Sequence, residues 1–224
     1  MKIALCLSGQ PRSLQEGFHY HSRNLIEEYD VDVFVHSWNS DFNGKVLRLY
    51  KPTRHQFENI KFDESHDIKY KYSDDTTWLP KNALSAFYSL HQANSLKSEH
   101  EKENGFIYDW VLRSRFDYAL NTIIPFNNLD NEKLYTPDRP DQLLCDQFAF
   151  SSSSIIDKYA NTFNHIDEFY SKGCWMLGEH LLANNIYKYG LDKVLIHYDM
   201  KRPFQDVCEA HAGLIRNDHL YWIK

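Results

Sequence analysis

Lys2-Ile3-Ala4-Leu5-Cys6-Leu7-Ser8, running straight into Gly9-Gln10-Pro11-Arg12, is the stretch whose reading decides the fold. An unbroken apolar run that stops at a turn predicts a central strand buried on both faces, the habit of parallel sheets. A helical stripe follows over roughly residues 13–29, with Leu14, Phe18, Leu25 and Tyr29 on one side. Asp30 to His36 (DVDVFVH) then predicts a second strand. Strand, helix and strand within about 35 residues make a βαβ unit with a right-handed crossover. The expected class is α/β. Ligands of such sheets bind beyond the carboxyl ends of the strands, which puts Ser8, Gly9, Arg12, His36 and Trp38 at one rim.

Outward from this unit, Tyr108 to Tyr118 (YDWVLRSRFDY) predicts another strand with a charged end. Trp110, Leu112, Phe116 and Tyr118 alternate with Val111, Arg113, Arg115 and Asp117, so period two sends the two sets to opposite faces. One set is apolar. The other holds two guanidiniums and one carboxylate, a local surplus of positive charge that suits an anionic ligand such as a diphosphate, with Asp117 free for a divalent cation. An ordinary ion pair between Arg115 and Asp117 on a surface strand is the plainer reading of the same residues.

Between these parts, residues 46–50 (VLRLY) and 68–72 (IKYKY) read as short strands in a polar insertion with no core of its own. Pro80-Lys81-Asn82 opens a helix that runs to about Glu103 and stops at Gly105. Residues 121–130 form a loop, 133–136 a short strand and 137–141 a stiff charged loop. Cys145 to Phe150 predicts a strand with Asp146 at its mouth. One helix is expected from about Ser154, with Asp157 as its capping partner, to Tyr170, and another over 178–189 with Glu179 in its first turn. Residues 194–197 read as a last strand and 198–224 as an irregular tail. A single domain over 1–224 is expected, in two halves that meet at about residue 118.

Composition narrows the function. A net charge of −6 over 224 residues argues against nucleic acid as a partner, which calls for a basic stripe. Aromatic residues at 15% supply core and also stacking platforms for sugars and bases. The four cysteines lack CxxC spacing, so no zinc ribbon is expected, and Cys6 reads as a reduced core thiol. The apolar run at residues 3–7 is too short for a membrane span or a signal-peptide core, so no integral membrane segment and a cytoplasmic location are expected. The turn at Ser8-Gly9-Gln10-Pro11-Arg12 has neither Walker nor GxGxxG spacing, yet amides at a helix start beside Arg12 suit a phosphate. Twelve histidines show no HExxH; His197 and His211 are the late-chain candidates for a metal or phosphate contact. A GxSxG elbow is missing too, which removes support for a serine hydrolase.

Taken together, the first strand ending in SGQ-x-R, the strand DVFVHSW, the helix with FYSL, the strand R-x-R-x-D and the later DQFAF resemble small GT-A-type glycosyltransferases of bacterial, phage and giant-virus surface-glycan clusters, over residues 2 to 190. The resemblance implies a Rossmann-like three-layer α/β/α sandwich with a mostly parallel sheet, a nucleotide-sugar donor (UDP- or GDP-sugar) and a glycan acceptor. It puts Ser8, Gly9 and Arg12 near the nucleotide, and His36 and Trp38 beside the base or ribose. Asp117 takes the place of the last carboxylate of a metal-binding D-x-D, implying Mn²⁺ or Mg²⁺. Arg115 stands where the first carboxylate belongs, so direct stabilisation of the departing diphosphate by Arg113 and Arg115 is the open alternative. Asp146 and Glu179 are the candidates for acceptor binding or the catalytic base. Two rival readings are a sulfotransferase-like enzyme and a non-catalytic nucleotide- or glycan-binding module.

Overall fold

A computed structural model describes residues 1–70, 79–137, 144–198, 212–216 and 219–222, the last two as backbone alone. The chain opens with β1 (Ile3–Gly9), α1 (Leu14–His21), β2 (Val31–Trp38), α2 (Asn43–Tyr50), β3 (Arg54–Glu58) and α3 (Glu64–Lys69). The long α4 (Pro80–Asn104) leads to β4 (Trp110–Arg115), β5 (Tyr118–Leu120), β6 (Leu134–Pro137) and β7 (Ala149–Ser151). Then come α5 (Ser153–Ala160), α6 (Ile166–Ser171), α7 (Gly178–Lys188), β8 (Leu195–Tyr198), β9 (Ala212–Arg216) and β10 (His219–Trp222).

Seven strands form one mixed, mostly parallel sheet in the order β3-β2-β1-β4-β7-β6-β8. β1 lies parallel to both β2 and β4, β2 to β3, and β6 to β8, while β7 runs antiparallel to β4 and β6. β1 is central, and its two faces explain its unbroken apolar run. Ala4 and Cys6 face a cluster built from Phe87 and Leu90 of α4, Ile156 of α5 and Leu182 of α7. Ile3, Leu5 and Leu7 face a second cluster with Leu14 of α1 and Val46 and Tyr50 of α2. From β1 the chain steps outward to β2 and β3, then returns to lay β4 on the other side. The carboxyl ends of β1 and β4 therefore flank a topological switch point, where α/β sheets form ligand crevices.

The stretch 108–118 keeps its predicted alternation but not its continuity. Trp110, Leu112, Phe116 and Tyr118 all join the cluster on the α1 side. β4 nevertheless ends at Arg115, and Phe116-Asp117 make a two-residue turn into β5. α1 packs hard on that turn: a Cβ on Gly17 would lie 1.7 Å from the Phe116 carbonyl oxygen, so only glycine fits there. β5 leaves the main sheet and pairs with β9, which pairs with β10.

Several expected elements are corrected. Residues 46–50 are helical: Val46 and Tyr50, four apart, are the buried pair of α2, a spacing that puts two residues on one face of a helix as well as of a strand. Ile68 lies in α3, with 71–72 outside the described residues. The real strand of this region, β3, is an edge strand of polar sequence (RHQFE) that hydrophobic pattern does not reveal. The first helix loosens after His21 into a wide turn over Ser22–Ile26, closed by Glu27 N–H on the Ser22 carbonyl at 2.9 Å. The helix expected over 154–170 breaks at 161–165 into α5 and α6, and Ser152 takes its N-cap place. Asp157 caps nothing; it serves Lys97 of α4. The strand at 145–150 shortens to β7, leaving Asp146 in the preceding bend. Part of the tail is a hairpin, β9–β10. Apart from Pro137 in β6, the loop at 137–141 lies outside the described residues. Among those residues no helix is long and apolar enough to cross a membrane. Cys6, Cys145 and Cys174 are free thiols, and burial pushes Cys6 up to about 12.

Candidate functional site

A cleft of about 370 Å³ opens at the carboxyl edge of β1, β2 and β4, at the switch point. One wall is apolar: Trp38 at the end of β2, with Ile60 and Phe62 from the connection after β3. The Trp38 indole stacks on Tyr88 of α4 with ring centroids 5.7 Å apart and a 17° tilt, and Phe62 meets both rings edge-on. Much of the remaining lining is cationic. Arg12, Lys81, Arg113 and Arg115 belong to it, with Asp146 the one carboxylate among the described lining residues.

Arg113 is the unusual member. In register it sits between Cys6 of β1 and Ala149 of β7, small neighbours that leave room for a long side chain over the sheet. It is only 4% exposed, yet its Nε and Nη1 are buried without a hydrogen-bond partner. A buried donor left unmade costs roughly 1–3 kcal/mol, more when the group is charged. Arg115 stands beside Ser8 and is satisfied differently. Its Nε and Nη2 donate to the two carboxylate oxygens of Asp117, both at 2.7 Å, in a bidentate fork. Asp117 is 1% exposed and does not line the cleft.

α4 delivers its first turns to the cleft through Lys81, Asn82, Ser85 and Ala86. A helix that returns the chain to a parallel strand runs antiparallel to the sheet. Its positive N-terminal pole therefore sits at the strands' carboxyl edge, where it favours an anion. Asp67 anchors that turn, accepting from the Lys81 backbone N–H at 2.8 Å and pairing with its Nζ at 3.3 Å. Asp146 rests on the start of α7: a Cβ on Gly178 would come within 2.5 Å of its Oδ2.

The predicted residues divide. Ser8, Gly9, Arg12, Trp38, Arg113, Arg115 and Asp146 come together in the cleft. His36, Asp117 and Glu179 do not line it, although Glu179 follows Gly178 in the turn that touches Asp146. The β1 turn offers less backbone than its spacing promises. The Gly9 amide is spent on Ser89 Oγ at 2.7 Å and the Arg12 amide on the Gln10 carbonyl at 2.8 Å, while Arg12 Nε bonds Gln10 Oε1. His197 is exposed on β8 at the far edge of the sheet, and His211 lies outside the described residues. Sequence reasoning missed the α4 contribution. The antiparallel run of a crossover helix was the signal that locates it. It also missed Ile60 and Phe62, which follow an unrecognised strand.

His36 has a structural place. Its Nε2 meets Glu58 Oε1 at 2.9 Å and its Nδ1 meets Ser89 Oγ at 2.8 Å. A neutral ring satisfies both in one tautomer: Nε2–H donates to Glu58, and Nδ1 accepts from the Ser89 hydroxyl, which in turn accepts the Gly9 N–H. Burial lowers the His36 pKa, against the pull of Glu58. Burial pushes Glu58 up, but hydrogen bonds from Lys61, His36 and Tyr88 overcome that and hold it at about 2. The Glu–His–Ser order looks hydrolytic, but Ser89 is fully buried and already holds the β1 turn.

No protein-family model matches the chain, and no curated protein matches it either.

Proposed function

We propose that the chain is a glycosyltransferase of GT-A type, moving a sugar from a nucleotide-sugar donor to a hydroxyl of a glycan acceptor. The observation that carries this reading is Arg113, a guanidinium that borders the switch-point cleft yet is almost wholly buried, with Nε and Nη1 enclosed and unpartnered. Such a group gains most from an anion, and gains more as the anion's charge grows. The aromatic part of the lining gives the base or ribose of a nucleotide a surface to lie against at Phe62, supported by Trp38, which is 4% exposed. A UDP- or GDP-sugar has both parts in one molecule.

In this reading the bond between the sugar's anomeric carbon and the diphosphate oxygen breaks as the acceptor oxygen bonds to that carbon. Arg113 and Arg115 stabilise the negative charge that collects on the leaving diphosphate, while the N-terminal pole of α4 is already capped by Asp67. Asp146 takes the acceptor's proton, provided the α7 turn keeps its carboxylate in place. Glu179, in the same turn, contributes to acceptor binding.

The test is release of UDP or GDP from a panel of nucleotide sugars offered with glycan acceptors. Asp146→Asn is expected to lower turnover by about a hundredfold, the usual worth of a general base. Gly178→Ala drives a methyl into the Asp146 carboxylate, a flexible group that swings away, so it should cut turnover similarly with the melting temperature nearly unchanged. No release from any donor, or stabilisation by adenosine phosphosulfate alone, would refute the assignment.

A further inference from the structure

We infer that the diphosphate subsite of this cleft works without a divalent cation, its unpaired charge supplied by Arg113 beside an Arg115 that Asp117 holds in place. This rests on the nucleotide-sugar reading above and concerns how that substrate is held. The resemblance to GT-A enzymes implies Mn²⁺ or Mg²⁺ at the D-x-D position, and such ions need free oxygen ligands, for Mg²⁺ in near-octahedral array.

The residues present do not fit that demand. Asp117, the carboxylate at the expected position, gives both oxygens to Arg115 at 2.7 Å and is buried away from the cleft. An ion bound there would have to break two charge-assisted hydrogen bonds and then share the site with a guanidinium. Among the described lining residues only Asp146 remains as a carboxylate, beside four cationic side chains. No three His, Cys, Asp or Glu side chains among the described residues converge as a ligand group.

What the site holds instead is fixed positive charge. Among the described residues no carboxylate pairs with Arg113, and its Nε and Nη1 stay unpartnered. Asp117 acts on a neighbour: it locks the Arg115 side chain in one orientation, a positioning role that a metal ligand would not have. Guanidiniums bind phosphate oxygens through N–H groups held in a plane; with the Nε–Nη2 edge of Arg115 given to Asp117, Arg115 keeps Nη1 for a phosphate oxygen and Arg113 brings the charge that a bridging ion would otherwise supply.

The experiment is calorimetric titration of the full chain with UDP and with GDP, once in EDTA and once with Mn²⁺. The expected result is binding of at least one nucleotide in EDTA, with affinity changed by less than about threefold when Mn²⁺ is present. Arg113→Gln should weaken it by about tenfold or more in both conditions. Asp117→Asn should also weaken it in EDTA, where a lost metal ligand would have no effect. Binding seen only with Mn²⁺ overturns the inference and leaves the transferase reading standing. Metal-free binding without sugar transfer supports the subsite and sinks the transferase. Failure of UDP and GDP to bind in either condition overturns both.

Discussion

Two cations lie buried against the same face of the sheet, and they could hardly be treated more differently. Lys97, in the middle of α4, is wholly enclosed and fully served: its three donors reach Glu101 at 3.0 Å, Ser153 at 2.5 Å and Asp157 at 2.8 Å. Glu101 in turn accepts from Ser153 and from the Tyr108 amide, and Asp157 from Asn94 and Ser98. Arg113, on β4, has no such shell around its Nε and Nη1. A buried charge with a full set of partners ties α4 to α5 and meets solvent mainly through the half-exposed Asp157. A buried charge left open, beside a cleft, is a standing cost unless something binds.

The sharpest way to break this contrast is to remove each cation for methionine. Lys97→Met strips two carboxylates of their shared partner, and loss of one member of a buried ionic group costs about 3–5 kcal/mol. Urea unfolding should show that loss directly. Arg113→Met should move the same measurement the other way, stabilising the unliganded protein by about 1 kcal/mol or more, because its unmet donors disappear with it. The two shifts having the same sign would erase the distinction between the knot and the cleft.

His21 sharpens the comparison from the opposite face, as a buried titratable group that stays neutral. Its ring nitrogens lie 2.9 Å from the Tyr50 hydroxyl and 3.1 Å from Ser114 Oγ, and burial lowers its pKa from 6.5 to about 3. The unfolded chain takes up this proton near pH 6.5, whereas the folded one refuses it until about pH 3. Stability is therefore full above pH 6.5 and falls as pH drops through that window, by up to about 1.4 kcal/mol per pH unit for one such group. His36, also lowered by burial, acts in the same direction. Between pH 6.5 and about 5 the carboxylates stay ionised, so the slope there belongs to histidine. His21→Gln should flatten it in a series of thermal melts, and an unchanged slope would place the acid sensitivity elsewhere.

How much of this was legible beforehand follows from what each part depends on. β1, β2, α4 and the apolar set of 108–118 are written in hydrophobic periodicity, and that periodicity survives folding. β3 was illegible because RHQFE, an edge strand, is paired through its backbone to β2 and needs no alternating apolar face. α2 was misread because V-L-R-L-Y satisfies both periods, and only contact with α1 and the sheet decides between them. In the site, the Arg residues and Asp146 followed from their place at strand ends. The local geometry did not follow: Asp117 turning back on Arg115 depends on a two-residue turn, and the Gly9 amide is lost to a serine 80 positions away. His36 was placed at the correct rim but on the wrong side of the backbone, since its ring points into the Ser89–Glu58 chain.

One consequence of the strand turn at Phe116-Asp117 reaches the far end of the molecule. The backbone that carries Arg115 passes through the Phe116-Asp117 turn into β5, and among the described residues β5 pairs with β9. A premature stop codon ahead of residue 212 would leave the main sheet intact on paper. It would also remove the ladder that β5 forms with β9, behind the Arg115–Asp117 fork, so the loss of a distant hairpin would be felt first at the anion site.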